Sequence, residues 1–151
     1  MDFTEFWNCT AEVEAAYDTH RKQVMGRFAL TAVEVDVLLF IANNPGLNTA
    51  ADVVRLRKIS KAHVSMAVKS LSEKGYIAKN CDGRNRKLIR LCPTEDAQEA
   101  IDFARSEQIR FLQAMMRGFA EEDRECFQRY MKRIKVNIHA AYDETRKQME
   151  E

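Results

Sequence analysis

Eleven basic side chains crowd into residues 55–90: Arg55, Arg57, Lys58, Lys61, Lys69, Lys74, Lys79, Arg84, Arg86, Lys87 and Arg90. Only Glu73 and Asp82 oppose them, so this window carries a net charge of +9. The other residues hold thirteen bases against twenty-one acids, a net −8, and the 151-residue chain sums to +1. A basic segment inside an acidic frame has the chemistry to meet a polyanion. Lysine and arginine gain by releasing counterions condensed on phosphate, whatever the order of the bases.

Other chemistries find little support. The four cysteines, Cys9, Cys81, Cys92 and Cys126, show no CxxC spacing and are expected to be reduced thiols. His20, His63 and His139 lack HxxxH spacing, so no metal site is expected. There is no glycine-rich phosphate loop and no nucleophile elbow. Glu121-Glu122-Asp123 suits the positive end of a helix better than a catalytic carboxylate pair. The chain therefore reads as a non-enzyme with no catalytic residues and no cofactor. The longest apolar run, Val37 to Ala42, falls far short of the ~20 residues a membrane span needs. The acidic N-terminus has no signal-peptide pattern, and the expected location is cytoplasmic, away from any membrane.

Two prolines and five glycines point to a mainly helical chain. Phe3, Phe6, Trp7, Val13, Tyr17 and Val24 follow a helical step, with Gly26 as the expected stop. Thr31 and Glu34 form a capping-box pattern ahead of Val35, Val37, Leu38, Leu39, Phe40 and Ile41. Asn43-Asn44-Pro45-Gly46 ends that helix, and Asn48 or Thr49 opens a short one through Val54 and Leu56. Ser60 caps the next helix, whose inward stripe is Val64, Ala67, Val68 and Leu71. Its opposite face carries Ala62, Ser65, Met66, Lys69 and Glu73, and Gly75 closes it. Strands are expected at residues 76–79 and 88–92, joined by a polar, basic tip around Gly83. Two further helices follow, one opened by Thr94 and broken by Gly118, the other running from about Glu121.

Helix, short helix, capped helix and basic hairpin in this order describe a winged helix-turn-helix. A helix of this kind enters the major groove of double-stranded DNA. On it, Lys61 and Lys69 suit phosphate or guanine, and His63 and Ser65 suit base edges. Ala62 and Met66 suit thymine methyls. Arg84 on the hairpin tip suits a narrow minor groove. The terminal helices expose more aromatic area than a small winged module can cover. Phe3, Phe6, Trp7, Phe111, Phe119, Phe127, Tyr130 and Tyr142, with Ile134 and Ile138 on the last stripe, therefore predict a homodimer interface. A two-fold dimer would place its recognition helices roughly 34 Å apart, one turn of DNA, and so read a palindrome.

The ordered set of motifs resembles the MarR family of bacterial transcription regulators. Residues 30–38 (LTAVEVDVL) are similar to its second-helix opening, and residues 60–65 (SKAHVS) to the start of its recognition helix. Residues 71–77 (LSEKGYI), 82–87 (DGRNRK) and 91–97 (LCPTEDA) resemble the junctions around its wing. The resemblance covers about the whole chain. It implies a dimerisation helix over 1–29, a DNA-binding lobe over 30–93 and dimerisation helices over 94–151, interleaved as one domain. It implies that Asp82 braces the wing against Arg84 or Arg86, beside Lys87, and that Arg84 reads the minor groove. It also implies a repressor released by a small-molecule effector, with ligand-binding residues unassigned. Met66 stands where the family often has a basic residue, Pro93 where it has an aliphatic one, and Ala97 where glycine is frequent. Two alternatives remain open: a winged module that binds protein, and a redox-responsive regulator acting through Cys81 or Cys9. Lys79, Arg84 and Arg86 lie near Cys81 in sequence and would favour its thiolate, whereas Cys9 has no such neighbour.

Overall fold

In the computed structural model, residues 2–79 and 89–150 are described. The chain divides after Leu112 into two units, Met1–Leu112 and Gln113–Glu151.

Helix α1 (Phe3–Phe28) starts at Asp2, whose carboxylate accepts the Thr4 N–H at 3.2 Å. It runs straight through Gly26, so the expected stop there is corrected. The left-handed residue that ends it is Ala29, at φ 51 and ψ 45. Helix α2 (Ala32–Asn43) has the full capping box: Thr31 Oγ1 accepts from the Glu34 N–H, and the Glu34 carboxylate accepts from the Thr31 N–H at 2.6 Å. Its residues 34–41 are all buried. A helix that is hydrophobic nearly all round belongs at the centre of a core, and α2 touches α1, α3, α4 and the hairpin.

Helix α3 (Ala50–Arg57) begins at a second capping box, between Thr49 and Asp52. Helix α4 (Lys61–Glu73) begins at Ser60. It buries Val64, Ala67, Val68 and Leu71, as the spacing predicts, mainly against α2 and α3. Gly75 takes φ +77, which an L side chain resists, and the chain turns there through Gly75 N–H to Ser72 O and Tyr76 N–H to Leu71 O.

Strands β1 (Ile77–Lys79) and β2 (Leu91–Pro93) pair antiparallel, with Ile77 opposite Pro93, Ala78 opposite Cys92 and Lys79 opposite Leu91. The second strand therefore lies later than the expected 88–92, and Ile89 sits outside it, well exposed. Asn48 sets this position: its carbonyl accepts the Leu91 N–H at 2.8 Å, and its side-chain oxygen accepts from Arg90 at 2.9 Å. Proline is tolerated because a two-stranded sheet offers it an edge. Thr94 N–H and Oγ1 then donate to the carbonyls of Tyr76 and Gly75, and a short 3-10 turn (Glu95–Ala97) leads into α5 (Gln98–Met115). Ala97, Ala100 and Ala104 let α5 pack closely, with Ile101 buried among them.

The second unit holds the last turn of α5, a turn with Gly118 at φ +84, and α6 (Glu121–Glu150). Among the described residues no helix is long and apolar enough to cross a membrane. Cys9 and Cys126 are free thiols, whereas Cys92 is disulfide-bonded. This corrects the expectation of four reduced cysteines, because bridging depends on where the fold brings sulfurs, not on their spacing in sequence.

Candidate nucleic-acid interface

The turn from α3 to α4 contains Lys58, held left-handed at φ 57 and ψ 26. Ile59 is half-buried below it, and Ser60 emerges at the surface as the cap of α4. The buried stripe of α4 fixes its rotation about its own axis, which leaves the other side in solvent. Lys61, Ala62, His63, Ser65, Met66 and Lys69 are all exposed there, Met66 at 66%. Ala62, Ser65, Met66 and Lys69 follow the three- and four-residue step and so share one face.

Ser60 occupies a different role from the other six. Its Oγ accepts the His63 backbone N–H at 3.3 Å and lies 2.9 Å from His63 Nδ1. Lys69 Nζ approaches Glu73 Oε1 at 3.9 Å, one turn on, and both side chains are mostly exposed. A pair of that kind contributes little and leaves the lysine open to other anions. Asp82, Arg84, Arg86, Lys87 and Cys81 lie outside the described residues. Strands β1 and β2, which flank that segment in sequence, pair antiparallel.

The contacts of three buried acids, Asp36, Glu34 and Glu107, went unread in the sequence. Asp36, buried in α2, accepts Arg21 Nη1 from α1 at 3.0 Å and Arg57 Nη2 from α3 at 3.3 Å. Arg21 also donates to Asp18 at 2.6 Å. Burial would lower the Arg21 pKa, but Asp18 and Asp36 outweigh it and raise it further. Buried Glu34 takes Lys74 Nζ from the end of α4 at 3.0 Å, and the same ammonium donates to Ala29 O at 2.8 Å. Burial pushes Glu34 up, yet hydrogen bonds from Ser70, Thr31 and Lys74 prevail and hold it below its ordinary value. His20 Nδ1 lies 2.8 Å from buried Glu107 on α5. The one available signal was two acids, Glu34 and Asp36, within an otherwise apolar helix.

The residues expected at a dimer interface fall into three sets. Phe3, Phe6 and Trp7 are exposed on the first turns of α1, with the Trp7 ring stacked 5.8 Å from Phe3 and 6.1 Å from Phe6. Phe111 is half-buried within the first unit, edge-on to Tyr17 at 5.3 Å and to His20 at 5.8 Å. In the second unit, Phe119, Phe127, Tyr130, Ile134 and Ile138 are exposed, with Met131 and Tyr142 beside them. A cavity of about 480 Å³ in the first unit is lined by Val13, Glu14, Tyr17, Arg57, Gln108 and Phe111, among others. Among the described residues no cluster of His, Cys, Asp or Glu is arranged to hold a metal.

Comparison with known proteins agrees with this arrangement. Residues 30–87, from the α2 cap through the wing segment, match the MarR family model. The HTH-type transcriptional regulator YybA of Bacillus subtilis (strain 168) is 26% identical over 118 residues, 78% of each chain. A MarR-family transcriptional regulator from Listeria monocytogenes, solved with 26-mer DNA, superposes with a TM-score of 0.76 at 24% identity. That match covers 91% of this chain and 89% of the other. A MarR protein from Peptoclostridium difficile superposes with a TM-score of 0.75 at 19% identity, covering 96% and 94%. Over its winged-helix lobe the chain is thus similar in sequence to the MarR family of transcription regulators, and in fold to solved members of that family.

Proposed function

We propose that this regulator binds double-stranded DNA as a homodimer, seating α4 of each copy in successive major grooves of a palindromic site. The observation that carries the reading is the division of α4. One face is fully buried, and the other presents two lysines, a histidine, a serine and an exposed methionine to solvent. The Listeria relative solved with DNA supports it. The exposed aromatic and aliphatic side chains of α1 and α6 support association with a second copy, because so much apolar surface is costly to leave in water.

Within this reading the protein is a repressor released by a small-molecule effector. The cavity beside Arg57 and Tyr17 offers a place where a ligand would compete with Asp36 for the arginine. Release then follows from unequal effector affinity for two dimer states, one matched to the operator and one not.

The test is duplex binding by anisotropy as a function of salt, for wild type, Lys61→Ala and Lys69→Ala. Each variant is expected to bind more weakly on every sequence and to reduce the log–log salt slope by about 1. Two variants with wild-type affinity and slope would remove α4 from the DNA.

A further inference from the structure

We propose that Ser60 is a positioning residue that fixes the tautomer of His63, making Nε2–H a hydrogen-bond donor directed at an acceptor edge in the major groove. The proposal rests on the reading that α4 enters that groove, and it concerns which base is chosen there.

Ser60 Oγ accepts the backbone N–H of His63 at 3.3 Å, as the cap of α4 requires. The same oxygen lies 2.9 Å from His63 Nδ1. A serine hydroxyl carries one proton and two lone pairs. If it donates that proton to Nδ1, the bonds form a chain in one direction, from backbone N–H to Oγ to Nδ1, and each polarises the next. The opposite arrangement puts two N–H donors on one oxygen. It also holds a protonated Nδ1 at the N-terminus of α4, where unsatisfied N–H groups carry roughly half a positive charge. Lys61, in the same first turn, adds a full one. Both effects favour, of the two neutral tautomers, the one with its proton on Nε2.

The ring is exposed, and Nε2 is the nitrogen that Ser60 leaves open. A donor in that position is matched by guanine N7 and O6, adenine N7 and thymine O4. It is mismatched by the cytosine amino group. His63 therefore selects an acceptor edge, and Ser60 supplies both the orientation and the proton placement.

The experiment has two arms. In the first, ring nitrogen NMR of the DNA-free protein above about pH 8, where histidine is ordinarily neutral, reports the tautomer. Wild type is expected to show a bare Nδ1 and a protonated Nε2. Ser60→Asp keeps a good cap but can only accept, so its ring is expected to carry the proton on Nδ1. A wild-type ring protonated at Nδ1 would overturn the proposal.

In the second arm, base preference is read by selection from duplex pools. Ser60→Gly retains most of the capping and is expected to lose a discrimination of about threefold to tenfold, the worth of one hydrogen bond, at one base pair per half-site. His63→Ala loses it at the same base pair, the double variant loses no more, and Ser60→Thr keeps it. Full discrimination in Ser60→Gly would overturn the proposal. Because the first arm needs no DNA, failure of the tautomer assignment and failure of the DNA reading are separately visible.

Discussion

Arg57, the last residue of α3, places Nη2 3.3 Å from Asp36 Oδ1 in α2, while the other oxygen of the same carboxylate takes Arg21 from α1. One buried acid thus ties the long first helix to the element that immediately precedes the α4 cap. Movement of α1 relative to α2 would be felt at the start of α4 through a single side chain.

Replacing Asp36 with Asn takes this carboxylate from Arg57 and leaves Arg21 with Asp18 alone. A fully buried pair broken this way costs about 3–5 kcal/mol, but Arg57 is half in water and its share is screened. The expected loss is about 2 kcal/mol, read as a lower urea midpoint at unchanged slope. A midpoint equal to wild type would mean that the shared carboxylate contributes nothing net.

Glu34 makes stability sensitive to acid. Its folded pKa lies below the ordinary 4.5, so the unfolded chain takes up a proton first as pH falls. The stabilisation is complete above that ordinary value and disappears as pH drops through the folded one. Glu34→Gln is expected to be about 1–2 kcal/mol less stable at neutral pH. It should also show a shallower loss of stability on acidification. Equal acid slopes for the two proteins would assign the effect to other carboxylates.

Ala29 holds a left-handed conformation at φ 51 with its side chain exposed. That conformation costs an L residue roughly 1–2 kcal/mol, offset in part by the greater unfolded-state freedom of glycine. Ala29→Gly is expected to stabilise the fold by about 0.5–1 kcal/mol, visible as a raised Tm. A lowered Tm would show that the turn tolerates alanine without strain.

Ile134 and Ile138 lie one turn apart on α6, both exposed and both facing a shallow groove shared with Met131 and His139. Under the proposed homodimer, wild type sediments as a dimer, and Ile134→Glu and Ile138→Glu are expected to sediment as monomers with helicity kept. Retention of the dimer by both variants would place the interface elsewhere.

The local parts of this fold were legible because local rules decide them. Thr31 with Glu34, Ser60 ahead of Lys61, and the 64, 67, 68 and 71 stripe are each set by residues within a turn or two. Gly26 misled because flexibility permits a stop without requiring one; the chain turns where Leu30 must enter the core. The position of β2 was hidden because it depends on Asn48, more than forty residues earlier. The contacts of Asp36 and Glu107 were hidden for the same reason: ion pairs spanning 15 and 21 residues and a hydrogen bond spanning 87 leave no periodic trace. In the candidate site, the exposed face of α4 followed directly from its buried one. The inward turn of Phe111 toward Tyr17 and His20 did not.

The most direct measurement of the central claim is selection of bound sequences from a random duplex pool by the purified protein at two salt concentrations. A homodimer that seats α4 in successive major grooves enriches a palindrome with half-sites about one helical turn apart, roughly 34 Å, and its affinity falls steeply as salt rises. Binding without any enriched sequence, or no binding at either salt, would contradict it.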